Sequence, residues 1–263
     1  MSRLKENAYK TPVYTAVIIS LITVAAFSLP FSFEDKTFSG KENAAIFYSV
    51  QIGIRALACV LCVIYAHICG FTLFDKPKKK AALLFIAAFI VCVNNFPFIA
   101  VFSGAEISGE TTAVLLFAAY CLAVGFSEEF VFRGVVFRLF EVKFEGREYK
   151  GFLTVLCSAA AFSLCHAANL FGGMGIGAGL LQIGYTFLTG AMFGAVMLYS
   201  RNILLPCVLH AVYDVGGLIF NESVGIGSGN PWDTATVVIT AVLGVLAAVY
   251  FTVKIVKYRD QSK

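Results

Sequence analysis

Charge is what this chain has least of. Aspartate, glutamate, lysine and arginine make up 14% of its 263 residues, where a soluble domain carries nearer a quarter. That shortage excludes a water-soluble globule. No low-complexity linker divides the chain, so almost no sequence is left over for a second domain. Cysteine is missing from the outer loops, where disulfides would be favoured. All eight cysteines, from Cys59 to Cys207, fall in or beside apolar runs. Cys59 and Cys62 have C-x-x-C spacing but no second pair, and read as small buried apolar residues. The pattern H-E-x-x-H, which sets two zinc-binding histidines on one helix face, does not occur.

Apolar residues fill the chain instead. They are 59% of the total, and the mean hydropathy is +0.83. A bilayer-crossing helix takes about 20 consecutive apolar residues. Eight such runs occur, at 13–31, 44–70, 81–102, 112–137, 151–170, 179–199, 202–220 and 234–256. The expected fold class is an all-α polytopic membrane protein, about eight transmembrane helices around a polar intramembrane cavity. Residues 1–263 would form a single transmembrane domain. The first run starts basic but lacks a small-residue cleavage site, so it reads as a retained helix.

Lysine and arginine set the orientation through the positive-inside rule. With the N-terminus inside, sixteen of them lie on the cytoplasmic side, including Lys76, Lys78, Lys79, Lys80, Arg138, Arg201, Arg259 and Lys263; only Lys36 and Lys41 lie outside. Both termini are then cytoplasmic, in a cell-membrane protein. These cations face anionic headgroups and call for no nucleic-acid partner.

Against this background the stretch "FSEEFVFRGVV" at 126–136 stands out. A charge at mid-membrane costs about 2.5–3.5 kcal/mol on insertion scales, so intramembrane ionisable groups mark function by default. At 100° per residue, Arg133 lies about 40° from Glu129 and about 140° from Glu128. Glu129 and Arg133 therefore form an i, i+4 pair, and Glu128 is left to meet water. The fifth run places Phe162 and His166 on one face, and the seventh does the same for His210 and Asp214. Helix rise puts Glu128, His166 and His210 roughly 15, 22 and 12 Å from the inner end, close enough to share one cavity.

Water activation is the chemistry that needs this set. A general base works best when it titrates near the operating pH, and an apolar pocket with a second carboxylate tunes a glutamate that way. One histidine can share the proton. Another, beside a polar acceptor, can donate to a developing oxyanion. Carboxylate and imidazole are equally ligands for a divalent metal such as zinc, with Glu128, His166 and His210 as donors. Arg55 is a lone charge in the second run, either paired with a carboxylate or near the cavity. His67 reads as structural. Asn94, Asn95 and Pro97 either kink the third run or bond to neighbours. Gly190 and Gly194 have the G-x-x-x-G spacing of close helix packing. "HAANLFGG" at His166 and "HAVYDVGG" at His210 share a pattern that is either a remnant of duplication or a coincidence.

Three segments together carry a resemblance. E-E-x-x-x-R at Glu128, Glu129 and Arg133, F-x-x-x-H at Phe162 and His166, and H-x-x-x-D/N at His210 and Asp214 resemble the three signatures of the CPBP family. This is the group of CAAX prenyl endopeptidases and bacteriocin-processing intramembrane proteases, also called the Abi family, with the signature core here at about 112–220. The resemblance implies an intramembrane endopeptidase in which Glu128 and His166 activate water. His210 and Asp214 would support the oxyanion or the water, and Glu129 and Arg133 would be structural. Where the family often has asparagine, Asp214 adds a negative charge or serves to orient His210. Members described as metal-dependent leave direct activation and a metal both open. The implied partners are membrane lipid and a peptide or membrane-anchored, in some cases prenylated, protein substrate. The alternatives are a non-catalytic scaffold or immunity protein on the same fold, and a proton- or ion-coupled transporter, which would favour inverted repeats.

The charge asymmetry gives the first prediction. Cysteine labelling at Glu106 and Glu222 should report outside, and at Lys79 and Glu145 inside; an inverted pattern would defeat the orientation.

Overall fold

Apolar runs become helices because a bilayer offers the backbone no other hydrogen-bond partner. The computed structural model describes residues 3–37, 44–77, 79–221, 224–230 and 232–258. Lys41, Lys78, Glu222, Arg259 and Lys263, which enter the charge count or the labelling test, lie outside these, as does the side chain of Lys36. The short basic α1 (Arg3–Lys10) meets α2 (Pro12–Thr37) at a bend of 113°. There follow α3 (Ala44–Cys69), α4 (Lys79–Asn94), the single turn α5 (Phe98–Phe102) and α6 (Thr111–Glu129). A π-helical segment, Phe130–Val136, runs on from α6 into α7 (Phe137–Lys143). The chain continues with α8 (Lys150–Cys165), α9 (Ala168–Phe171), α10 (Ile176–Ser200), α11 (Leu204–Leu218) and α12 (Thr234–Lys257).

The all-α polytopic architecture is present, with a lower span count than expected. Five stretches are long and apolar enough to cross a bilayer: Ala45–Cys69, Thr111–Lys143, Lys150–Phe171, Ile176–Ser200 and Thr234–Lys257. The bent α1–α2 pair makes a sixth, so eight are not reached among the described residues. Two runs fall short for local reasons. The run at 81–102 stops at Asn94, because Pro97 has no N–H to give a helix and disfavours helical backbone just before it. The run at 202–220 yields a 15-residue α11, about 22 Å long. Its first residues pair with the loop before α4: Phe74 and Asn202 form a β-bridge, and the Ile203 N–H donates to the Leu73 carbonyl.

Both ends of the molecule are tied. At one end β1 (Glu106–Ile107) pairs antiparallel with β2 (Gly227–Ser228), and the Tyr48 hydroxyl donates to the Val224 carbonyl at 2.7 Å. At the other end Arg138 is a structural pin more than a loop cation, being 3% exposed. It binds Glu141 at 2.7 Å and the Thr72 carbonyl, and Glu141 also holds Arg201, whose backbone is left-handed at φ 57°. Entry into α12 is set by Asp233, which accepts from the Thr236 N–H at 3.0 Å. The Thr236 hydroxyl and N–H hold the Asp233 carboxyl below its ordinary pKa.

Close helix contact occurs where side chains are absent. A Cβ on Gly125 of α6 would lie 2.6 Å from the Ala211 nitrogen of α11. One on Gly216 would lie 2.6 Å from the backbone of Asn95 and Phe96. Gly190 and Gly194 both turn toward α8, where their Cβ positions would be 3.0 Å from Phe162 and 3.1 Å from Val155. The sequence spacing thus marks a real contact between α8 and α10.

Gly125→Ala should lower stability by about 1–3 kcal/mol, because its methyl meets backbone that cannot rotate aside. Gly53→Ala, with nothing within 4 Å of its added carbon, should leave thermal unfolding in detergent unchanged. Equal behaviour of the two variants would refute the packing argument.

Candidate active site

Glu128 and Glu129 are the last two residues of α6, immediately before the π segment. Such turns are rare and are frequently found at functional sites. Here the Phe137 N–H reaches back five residues to the Phe132 carbonyl, and the Ser158 hydroxyl donates to the same oxygen at 2.9 Å. That second bond ties the segment to α8.

Arg133 sits within this turn, fully buried with Glu129. Its Nη1 donates to Glu129 Oε1 at 2.8 Å and its Nη2 to the Gly190 carbonyl at 2.9 Å. The guanidinium lies 4.5 Å from the Phe162 ring centroid, so ring and carboxylate share the charge. Gly190 is fitted to this arrangement, since a Cβ there would lie 3.0 Å from Arg133 Nη2. Arg133 and Glu129 pair as their spacing implies.

The same carboxylate oxygen does something the spacing did not reveal. His210 Nδ1 lies 2.9 Å from Glu129 Oε1, so Nδ1–H donates to Glu129 and the ring orientation is fixed. His210 Nε2 is then left facing Glu128 Oε2 at 3.8 Å and Asp214 Oδ1 at 3.6 Å. Both gaps exceed a direct hydrogen bond. Gly125, one turn before the glutamates, brings α11 close enough for this contact. The other histidine, His166, ends α8; its Nδ1 lies 3.0 Å from the Phe162 carbonyl. A carbonyl only accepts, so Nδ1 carries the proton there and Nε2 is the free nitrogen.

Glu128, Phe162, His166, His210 and Asp214 line one cavity of about 820 Å³ among α2, α3, α6, α8, α10 and α11. Glu129 and Arg133 stand behind its wall. Arg55 lines it too, as does Asn95, which also donates to the Tyr213 carbonyl at 2.8 Å. Gln51 and Arg55 are i, i+4 on α3 and are bonded to each other; that spacing is the sequence signal for this second polar wall. His67 is exposed near the end of α3. The eight cysteines are free thiols. The two similar histidine segments differ in structure: His166 closes a helix and its glycine pair turns, whereas His210 and its glycines stay helical.

Among the described residues no three of His, Cys, Asp and Glu stand where they could hold one metal ion. Both Nδ1 atoms are engaged with protein oxygens, which leaves Nε2 as the ring nitrogen each histidine presents.

Comparison with known families agrees with the motifs. Residues 110–216 match the family model of type II CAAX prenyl endopeptidases, Rce1-like. The matched stretch holds all three motif segments, and the matched family is the one that they resemble. No curated protein matches the chain, and no solved structure does.

Removing one partner of a buried ion pair strands the other, at about 3–5 kcal/mol. Glu129→Ala should therefore lose stability on that scale and free the His210 ring. Replacing both partners by apolar residues (Glu129→Leu with Arg133→Met) should recover much of the loss. Thermal unfolding of the purified protein checks this; additive losses in the double variant would sink the pairing.

Proposed function

We propose, from the Rce1-like domain at residues 110–216 and the polar cavity beside it, that the chain is an intramembrane endopeptidase working by glutamate-activated water. The observation that carries the reading is the pair of gaps at His210 Nε2. Glu128 and Asp214 face it at 3.8 and 3.6 Å, too far for direct bonds and suited to a bridging water.

In this reading Glu128 accepts a proton from the water as its oxygen bonds to the peptide carbonyl carbon. The carbonyl oxygen becomes an oxyanion, to which a protonated His210 Nε2 donates, with Asp214 supporting that imidazole. His166 presents Nε2 to the cavity and shares the proton with Glu128. The proton then passes to the amide nitrogen as the C–N bond breaks, giving a carboxylate and a free amine. Glu129 takes no proton; by accepting from Nδ1–H it holds the His210 ring in one orientation.

The substrate reaches the cavity from the membrane. An apolar groove of about 490 Å³ between α12 and α4, α8 and α10 shares Asn95, Tyr185, Thr189, Tyr213 and Thr240 with the cavity. An aliphatic or prenyl chain on a membrane-anchored peptide would lie there, while the peptide bond reaches Glu128. Helix α12 is almost unburied, so this side faces lipid.

Purified protein should cleave membrane-anchored peptides, and Glu128→Gln should abolish turnover while unfolding at the same temperature. Dialysis against a strong chelator should leave the activity nearly unchanged. Wild-type turnover in Glu128→Gln would remove that residue from the mechanism. Activity lost on chelation and restored by zinc would reassign His166 and His210 to ligation.

A further inference from the structure

Arg55 has no part in this chemistry, yet it lines the same cavity and is only 4% exposed. A buried arginine ordinarily faces a carboxylate. Among the described residues none lies within ion-pair distance of it; Glu128 and Asp214, on the same cavity, lie nearer His210. Among the described residues its one hydrogen-bond partner is neutral, the Gln51 side-chain oxygen, which accepts from Nη1. The guanidinium is stacked instead, 4.7 Å from the Phe27 ring centroid and 5.4 Å from that of Tyr120. Nε is buried with no partner among the described residues. A guanidinium has five N–H donors in a planar fork. The rings lie against the guanidinium without supplying an oxygen acceptor, so Nε is left unmet beside the Gln51-bound Nη1. A planar, bidentate acceptor is what that fork matches, and carboxylate is the commonest one.

We propose that Arg55 binds a carboxylate of the substrate peptide, and so fixes which peptide bond meets Glu128; this rests on the endopeptidase reading. Tyr120, Val124 and Glu128 recur every fourth residue along α6 and all line the cavity. Two such steps span about 12 Å, which three or four extended residues cover. The carboxylate belongs to the released fragment, either as its C-terminus or as an acidic side chain near it. Gln51 is a positioning residue that holds the guanidinium in plane.

Binding tests this without turnover. Full-length Glu128→Gln protein in nanodiscs of neutral lipid is titrated with a fluorescent apolar heptapeptide in three forms: free acid, C-terminal amide, and amide with a penultimate glutamate. The free acid should bind at least about tenfold tighter than the amide. Added Arg55→Gln should erase that ratio, and Arg55→Lys, which keeps the charge without the fork, should retain part of it. Tight binding of the glutamate-bearing amide alone would identify the side chain as the source of the carboxylate and also support the proposal. Equal binding of all three forms, or a ratio unchanged in Arg55→Gln and in Arg55→Lys, would overturn it. So would loss of the ratio on adding phosphatidylglycerol, since the guanidinium would then hold lipid phosphate. Because catalysis is not read, failure of wild-type protein to cleave peptides would count against the endopeptidase reading and leave this result separate.

Discussion

A guanidinium with no exposure to solvent is the constraint around which this structure is arranged. Arg133 lies in the bilayer-crossing stretch Thr111–Lys143, where an unanswered charge would cost several kcal/mol. Glu129 supplies the counter-charge, the Gly190 carbonyl a second acceptor, and the Phe162 face a third contact. Meeting those needs draws α6, α8 and α10 together. The same Glu129 oxygen accepts a hydrogen bond from His210 Nδ1–H and so adds α11. One carboxylate thus neutralises the arginine and orients a histidine.

Backbone proximity makes this geometry attainable. Gly125 against Ala211 and Gly216 against Asn95 leave no room for a methyl group, and Gly190 against Phe162 leaves little. Tight packing of this kind stands in for the hydrophobic effect, which gives helices in lipid little reason to associate. The π segment contributes a wider turn at the point where two carboxylates and an arginine must point different ways, with Ser158 as an extra donor to its Phe132 carbonyl. Supporting groups are fully buried, while Glu128 and Asp214 keep some exposure, 17% and 13%. That separation is what a site needs if some charges are to hold and others to react.

How much was legible beforehand differs by feature. Composition and apolar run length determined the all-helical membrane class, because only helices satisfy their backbone within one segment in lipid. Spacing determined the Glu129–Arg133 pair, since helical periodicity is local. The order of three motifs determined the family match at residues 110–216. The count of eight spans is not reached among the described residues, because hydropathy registers apolar length but not the break at Pro97 or the β-bridge before α11.

Contacts between helices had no such local signal. The bond from His210 to Glu129 joins residues 81 positions apart, and no periodicity encodes it. The sequence showed Arg55 as an unexplained charge; only the packing of α3 against α2 and α6 set it beside Phe27 and Tyr120 at the cavity. The sequence by itself determined which residues are too polar to face lipid, because that follows from transfer free energy alone. Tertiary structure decided which of them meet, because distance and orientation between helices depend on where glycines admit close approach.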